Sequence, residues 1–244
     1  MTSAKRTPRI IAALDVEKRI DAISLVADLR GKVTLYKVGS RLFTAEGPGM
    51  IAEINDAGGS VFLDLKFHDI PATVAGAVRA ACGLNVFLMT IHTAGGYDMM
   101  KAAADEAKAY AEKTGMPRPK LVGVTVLTSM SAEDLEGASG YTGTVEDLVL
   151  KRAELAKKSG LDGIVASVQE AGKIREALGE GFVIVTPGIR PAGSAKGDQK
   201  RVATPRDAIE AGSDYLVIGR PIYQAESPGE AADAILAEMG EAGQ

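Results

Sequence analysis

Residues 60–82 read SVFLDLKFHDIPATVAGAVRAAC and contain the unit from which the chain is built. Residues 60–66 are a short apolar run that takes on charge at its end. Residues 71–82 are an alanine-rich helical stretch. The run is continuously apolar through Val61, Phe62 and Leu63 rather than alternating, which is how a strand buried on both faces of a parallel sheet reads. A strand that then collects Asp64, Lys66, His68 and Asp69 within six positions needs a reason to carry that charge.

The same unit recurs on both sides. Strand candidates are residues 9–15, 33–39, 60–66, 85–92, 120–127, 162–167, 182–188 and 215–219. Helical patterns occupy 16–31, with Gly31 as a C-cap, and 50–59, 71–82, 97–113, 145–160, with Thr144 as N-cap, 168–179, 205–212 and 227–240. Strand–helix alternation implies a parallel sheet with helices outside it. Eight units of roughly 30 residues match a single (β/α)8 TIM barrel better than an open doubly wound sheet. No G-x-G-x-x-G follows the first strand, and there is no Walker A motif. No linker divides the chain, so residues 9–244 read as one barrel domain and residues 1–8 as a disordered leader.

Bulk properties narrow the function. The 244 residues are 46% hydrophobic and 25% charged, with a formal net charge of −4. An acidic balance argues against binding of nucleic acid polymers, although a small anion can still be held by a few local cations. One cysteine, Cys82, excludes an intrachain disulfide and reads as a small buried hydrophobe. No apolar run approaches a membrane span, and the N-terminus lacks the apolar segment of a signal peptide, so a cytoplasmic location is expected. The two histidines, His68 and His92, lack zinc-pair spacing and read as structural groups. The count leaves a carboxylate-bound Mg²⁺ open. Met99 and Met100 read as packing.

In a TIM barrel the chemistry lies at the C-terminal ends of the strands. Here those ends carry Asp15, Lys37, Asp64 with Lys66, His92, Thr128 with Ser129, Arg190, and Gly219 with Arg220. Positions i and i+2 of a strand share a face. Asp64 and Lys66 should therefore project together with Phe62 into the mouth, where Lys37 from the next strand reaches them. Lys37, Asp64, Lys66 and Asp69 would then alternate in sign, holding Lys66 protonated between fixed carboxylates. A structural salt bridge at a strand end is the plainer reading of a lone D-x-K pair. Gly219 and Arg220 in VIGRPI, with Arg190 in TPGIRP, suit a phosphate group, although an isolated arginine there is as often a surface residue. The long non-periodic stretch 188–201 reads as a mobile lid.

These residues resemble the orotidine 5′-monophosphate decarboxylase family. DLKFHDIPATV is similar to its D-x-K-x-x-D-I-P-x-T-V signature. ALD (13–15), YKVG (36–39), VLTS (126–129), TPGIRP (186–191) and VIGRPI (217–222) resemble its other strand-end motifs, in the same order. The resemblance implies a carboxy-lyase of de novo pyrimidine biosynthesis that converts orotidine 5′-monophosphate to uridine 5′-monophosphate and CO₂, with no cofactor and no metal. It implies that Lys66 protonates C6, that Asp64 and Asp69 hold Lys66, and that Lys37 joins this network. Asp15 and Lys37 would bind ribose hydroxyls. Thr128 and Ser129 would address the pyrimidine and Pro187 would line the base pocket. Gln199 would bridge phosphate and base, and Arg190, Gly219 and Arg220 would hold phosphate. It further implies a homodimer in which Asp69 and Thr73, with Ile70 among the substrate contacts, complete the partner's site.

Two rivals remain at this level. One is the sugar-phosphate branch of the same barrel superfamily, which works through a Mg²⁺-stabilised enediolate; its motif tends to continue Asp-x-Gly, whereas this chain has Asp69, Ile70 and Pro71. The other is a non-catalytic phosphate-binding barrel, which would keep Arg220 but not an intact set of strand-end charges.

Overall fold

The computed structural model describes residues 9–191 and 202–242. The expected leader, residues 1–8, lies outside them, as does most of the expected lid. Eight parallel strands close into a barrel: β1 (Arg9–Ala13), β2 (Leu35–Gly39), β3 (Ser60–Phe67), β4 (Leu88–His92), β5 (Lys120–Val124), β6 (Gly163–Val165), β7 (Val183–Thr186) and β8 (Tyr215–Ile218). Each pairs with its neighbour in sequence, and β8 returns to β1 through Ile11↔Val217 and its flanking pairs. The (β/α)8 class is thus the observed one.

Eleven α-helices are described: α1 (Arg19–Asp28), α2 (Ser40–Glu46), α3 (Gly49–Asp56), α4 (Pro71–Cys82), α5 (Gly96–Thr114), α6 (Ala132–Ser139), α7 (Val145–Lys158), α8 (Val168–Leu178), α9 (Pro205–Glu210), α10 (Arg220–Tyr223) and α11 (Pro228–Ala242). Thr144 caps α7 by accepting the Asp147 amide. Three short helices escape the sequence reading. Of these, α6 starts at a capping box in which Ser131 and Asp134 satisfy each other's backbone amides, a signal present in the residues. Helix α2 follows β2 directly, and α10 is a single turn after β8, both too short to show a period. Among the described residues, no helix is long and apolar enough to cross a membrane.

Several boundaries move for local reasons. Helix α1 stops at Asp28, not at Gly31; the chain makes a tight turn first, and Gly31 takes up φ +81° within it. Strand β4 starts at Leu88 rather than 85, because Asn85 lies in the left-handed region at φ +54° and cannot extend the ladder. Strand β5 ends at Val124, before the expected Leu127; Thr125 still bonds Val165 O through its amide, and the chain then turns away.

The core has two layers set by the period-2 alternation of strands. Ile11, Leu35, Phe62, Leu88, Val122, Val185, Tyr215 and Val217 fill the barrel interior. Ile10, Ala12, Val61, Leu63, Met89, Leu121 and Ile164 point outward against the helices, where Met99, Met100 and Cys82 also pack. Burial pushes the Cys82 thiol up to about 11, so it acts as an inert apolar group. At Gly163 a Cβ would lie 2.2 Å from Val183 O, so only glycine lets β6 and β7 approach this closely.

Candidate active site

Following the inward-facing positions one or two residues past the apolar layer leads into the mouth. Ile11 and Ala13 lead to Asp15, Leu35 to Lys37, Phe62 to Asp64, Leu88 to Thr90, Val185 to Pro187, and Val217 to Gly219. A cavity of about 410 Å³ opens at these strand ends. Asp15, Lys37, Asp64, Lys66, Thr128, Pro187, Arg190, Gly219 and Arg220 line it, with Phe62 and Val217 among its apolar wall.

Four of these side chains form a line of alternating charge. Lys37 Nζ donates to Asp15 Oδ1 at 2.7 Å and lies 3.8 Å from Asp64 Oδ2. Lys66 Nζ donates to the same Asp64 Oδ2 at 2.9 Å. Lys37 is buried, and Asp64 nearly so, whereas the Lys66 side chain is 37% exposed and reaches the open cavity. Water is thus largely excluded from the middle of the line, where charge interactions stay strong, and reaches its two ends, Lys66 and the 44% exposed side chain of Asp15, where a ligand can enter. Gly39 keeps the room for this pair: a Cβ there would sit 3.1 Å from Lys37 Nζ and 3.5 Å from Asp15 Oδ1.

The alternation differs from expectation at one end. Asp69 is not its fourth member within the chain. Its Oδ1 accepts the Ile70 amide at 2.6 Å on the exposed turn before α4, and Asp15 stands at the other end of the line instead. The geometry of Lys66 also departs from a regular strand. The β3–β4 register shifts between Leu63 and Phe67, and Lys66 sits at φ +53°. Simple i, i+2 projection therefore does not apply at Lys66, although its ammonium still meets Asp64. Non-glycine residues at positive φ cost energy and tend to occur where function fixes a conformation.

Other expected residues fall outside the cavity. Ile70 is 66% exposed, Thr73 is exposed on the first turn of α4, and Ser129 is exposed on the turn after β5. Gln199 lies outside the described residues. Arg190 is buried, and its backbone is tied to the far side of the 188–201 stretch through Arg190 N–H to Ala203 O at 2.9 Å. His68 and His92 stack at 5.1 Å between ring centroids, near the Lys66 end of the site. Burial, helped by the neighbouring charges of His68, Arg152 and Lys66, lowers the His92 pKa to about 4. His92 Nδ1 accepts the Ala94 amide, so the proton of the neutral ring is on Nε2.

Thr90 carries no motif of its own in the sequence, and Gly39 enters there only as the last residue of YKVG. Thr90 is fully buried, and its hydroxyl bonds both Asp64 and Lys66. The inward alternation from Leu88 places Thr90 on the face of the mouth, but its β-branched side chain reads in sequence as an ordinary strand residue.

Fold and site together define a class: a (β/α)8 barrel enzyme with its charged groups gathered at the C-terminal strand ends. The chain belongs to the orotidine 5′-phosphate decarboxylase / HUMPS family, whose model matches residues 8–235. It is 52% identical over 234 residues to an orotidine 5′-phosphate decarboxylase of Syntrophomonas wolfei, covering 96% of this chain and 98% of the relative. It is 50% identical over 238 residues to the Pseudomonas aeruginosa protein of that name, covering 98% of this chain and all of the relative. A crystal structure of orotidine 5′-phosphate decarboxylase from Lactobacillus acidophilus superimposes with a TM-score of 0.84 at 37% identity, covering 95% of this chain and 99% of that one.

Proposed function

We propose that this chain decarboxylates orotidine 5′-phosphate to uridine 5′-phosphate and CO₂, a step of pyrimidine biosynthesis in the cytoplasm, with Lys66 as the proton donor. The observation that carries the assignment of roles is the Asp15–Lys37–Asp64–Lys66 line, with its exposed cation at the open cavity.

The chemistry follows from charge. When the bond from C6 to the carboxylate breaks, its electron pair stays on C6. The pyrimidine offers that carbanion no conjugated sink, so the protein must supply a fixed cation beside it. Lys66 Nζ–H is placed to do this and then to give its proton to C6, leaving a neutral amine that regains a proton from solvent. Asp64 holds the ammonium and sets a negative charge near the departing carboxylate; CO₂ leaves uncharged, so this repulsion is relieved in the transition state. Lys37 and Asp15 reach the ribose hydroxyls. Thr128 and Pro187 border the base. Arg190, Gly219 and Arg220 receive the phosphate, whose binding energy is realised far from the reacting carbon. Gln199, outside the described residues, is assigned to bridge phosphate and base. Ser129 contributes through its backbone.

A shared site in a homodimer is part of the proposal. What supports it is that Asp69 and Ile70, just before α4, and Thr73, on its first turn, are exposed and outside their own chain's cavity. In a dimer, Asp69 of one protomer would face Lys66 of the other as a second carboxylate, with Ile70 and Thr73 touching substrate. Mixing Lys66→Ala and Asp69→Ala subunits should regenerate one intact site per heterodimer. No recovered activity after verified subunit exchange would place Asp69 outside the site.

The test of the activity is the ultraviolet absorbance of orotidine 5′-phosphate added to purified protein in EDTA. Loss of the orotate chromophore with release of CO₂ is the expected result. No change, with turnover of a sugar phosphate once Mg²⁺ is restored, would overturn the reading.

A further inference from the structure

We propose that Thr90 is a positioning residue: through one hydroxyl it fixes both the Asp64 carboxylate and the backbone that aims Lys66. The inference rests on the decarboxylase reading and deepens it.

Thr90 lies in the middle of β4 with no exposed surface. Its Oγ1 is 3.1 Å from Asp64 Oδ1 and 2.8 Å from Lys66 N. The direction of both bonds is forced. A carboxylate only accepts and a backbone N–H only donates, so the single hydroxyl proton goes to Asp64 and an oxygen lone pair takes the Lys66 amide. The hydroxyl thus bridges the Lys66 amide, a donor, and the Asp64 carboxylate, an acceptor, and fixes each relative to the other.

The strand irregularity explains why a side chain is needed here. Leu63 pairs with Met89 and Phe67 with Ile91, so four steps along β3 run beside two along β4. The extra residues leave the regular β3–β4 ladder, and the Lys66 amide among them donates to Thr90 Oγ1. A buried or half-buried amide without an acceptor is costly, so this bond holds the displaced backbone in place. That backbone is where Lys66 takes φ +53°, which sets the direction of its side chain. The other end of the hydroxyl holds Asp64 Oδ1 and leaves Oδ2 for Lys66 Nζ and Lys37 Nζ. Thr90 therefore has hold of the catalytic lysine at its amide and of the carboxylate that holds its ammonium.

The experiment compares Thr90→Val, which keeps the shape and removes the hydroxyl, with Thr90→Ser and Thr90→Ala, which share the same lost methyl and differ only in the hydroxyl. We expect kcat to fall by about 30- to 100-fold in Thr90→Val with KM within about fivefold of wild type, since a misplacement of about 1 Å can cost two orders of magnitude. Thr90→Ser should stay within about fivefold of wild type and Thr90→Ala should not. If Thr90→Val fails to fold, the Ser/Ala pair decides. Equal losses in that pair, or a kcat in Thr90→Val within about threefold of wild type, would overturn the proposal, as would a loss confined to KM. Amide hydrogen exchange at Lys66 gives a readout that does not depend on activity: slow in wild type and Thr90→Ser, fast in Thr90→Val. Wild-type protein that shows this exchange pattern but leaves orotidine 5′-phosphate unchanged would contradict the function, not the positioning of Lys66. Fast exchange in wild type would contradict the positioning.

Discussion

At the N-terminal rim of the barrel Arg175 meets Asp214 at 2.7 Å; at the C-terminal rim Lys66 meets Asp64 at 2.9 Å. The two pairs use similar ions at similar distances for opposite purposes. Arg175 also donates to Gly179 O, Phe182 O and Gly212 O, and the Asp214 oxygen that it meets accepts the Ile184 amide. Arg118 and Asp162 repeat the pattern one strand pair away, with Asp162 accepting the Leu121 amide. These ions are tied to backbone groups of the turns that lead into β5 to β8, so their charge is consumed in holding the chain. At the opposite rim Lys66 Nζ has one partner among the described residues, Asp64, and Lys66 lines the open cavity. Charge secured by backbone stabilises the barrel; charge secured by other side chains stays available to a ligand.

The comparison breaks most directly by removing one cation from each rim. Lys66→Ala should lower turnover by at least about 10³-fold, the scale of losing a proton donor and its electrostatic stabilisation together. It should change unfolding free energy by less than about 1 kcal/mol, because the ammonium is partly solvated. Arg175→Ala should do the reverse: cost about 3–5 kcal/mol in urea unfolding, since it takes away the largely buried cation beside Asp214 and the donor to three carbonyls, while the protein that remains folded keeps its kcat. A large stability loss in Lys66→Ala, or a kcat loss in Arg175→Ala, would erase the distinction between the rims.

His92 tests the boundary between the active rim and the core behind it. Its pKa of about 4 in the folded protein lies below the 6.5 of an unfolded histidine. Between those values the unfolded chain binds the proton more readily, so stability is complete above about pH 6.5 and falls as pH drops toward 4. Protonation would also end the acceptor role of Nδ1 toward Ala94. Wild type should lose about 2–3 kcal/mol more than His92→Asn between pH 7.5 and 4.5. Parallel pH profiles of the two proteins would show that His92 is solvated and not part of the buried wall.

Arg220 sharpens the comparison within the active rim, between the groups proposed for the reacting carbon and those proposed for the phosphate. Arg220→Ala should raise KM about 10- to 100-fold, the worth of a charged hydrogen bond, and should leave turnover of orotidine without phosphate unchanged. An equal loss with both substrates would move Arg220 away from the phosphate.

Much of this was legible in the residues because barrel strands repeat one rule. Continuous apolar runs gave the eight strands, and their polar ends gave Asp15, Lys37, Asp64 and Lys66. What escaped depended on exceptions to that rule. Thr90 looks like an ordinary β-branched strand residue until the register shift beside it is seen. Asp69 itself is named by its motif, but its direction is not set by periodicity, since it lies two residues past the strand end and accepts the Ile70 amide. Helix α10 is too short to have a hydrophobic face that a pattern could reveal.

The finest form of the comparison concerns the backbone of Lys66 itself. The ions of the N-terminal rim sit on unstrained backbone among the described residues, whereas Lys66 holds φ +53°. A Cβ at that conformation costs on the order of 1 kcal/mol, which glycine does not incur. Lys66→Gly should therefore be more stable than Lys66→Ala by about 1 kcal/mol in urea unfolding, although glycine lowers stability at ordinary strand positions by a similar amount. Both variants lack the ammonium, so the difference isolates the backbone. The opposite order would mean that β3 relaxes to regular extended geometry once the lysine is gone. The strain would then follow from the pull of Asp64 on the ammonium, and would not be built into the register shift between β3 and β4.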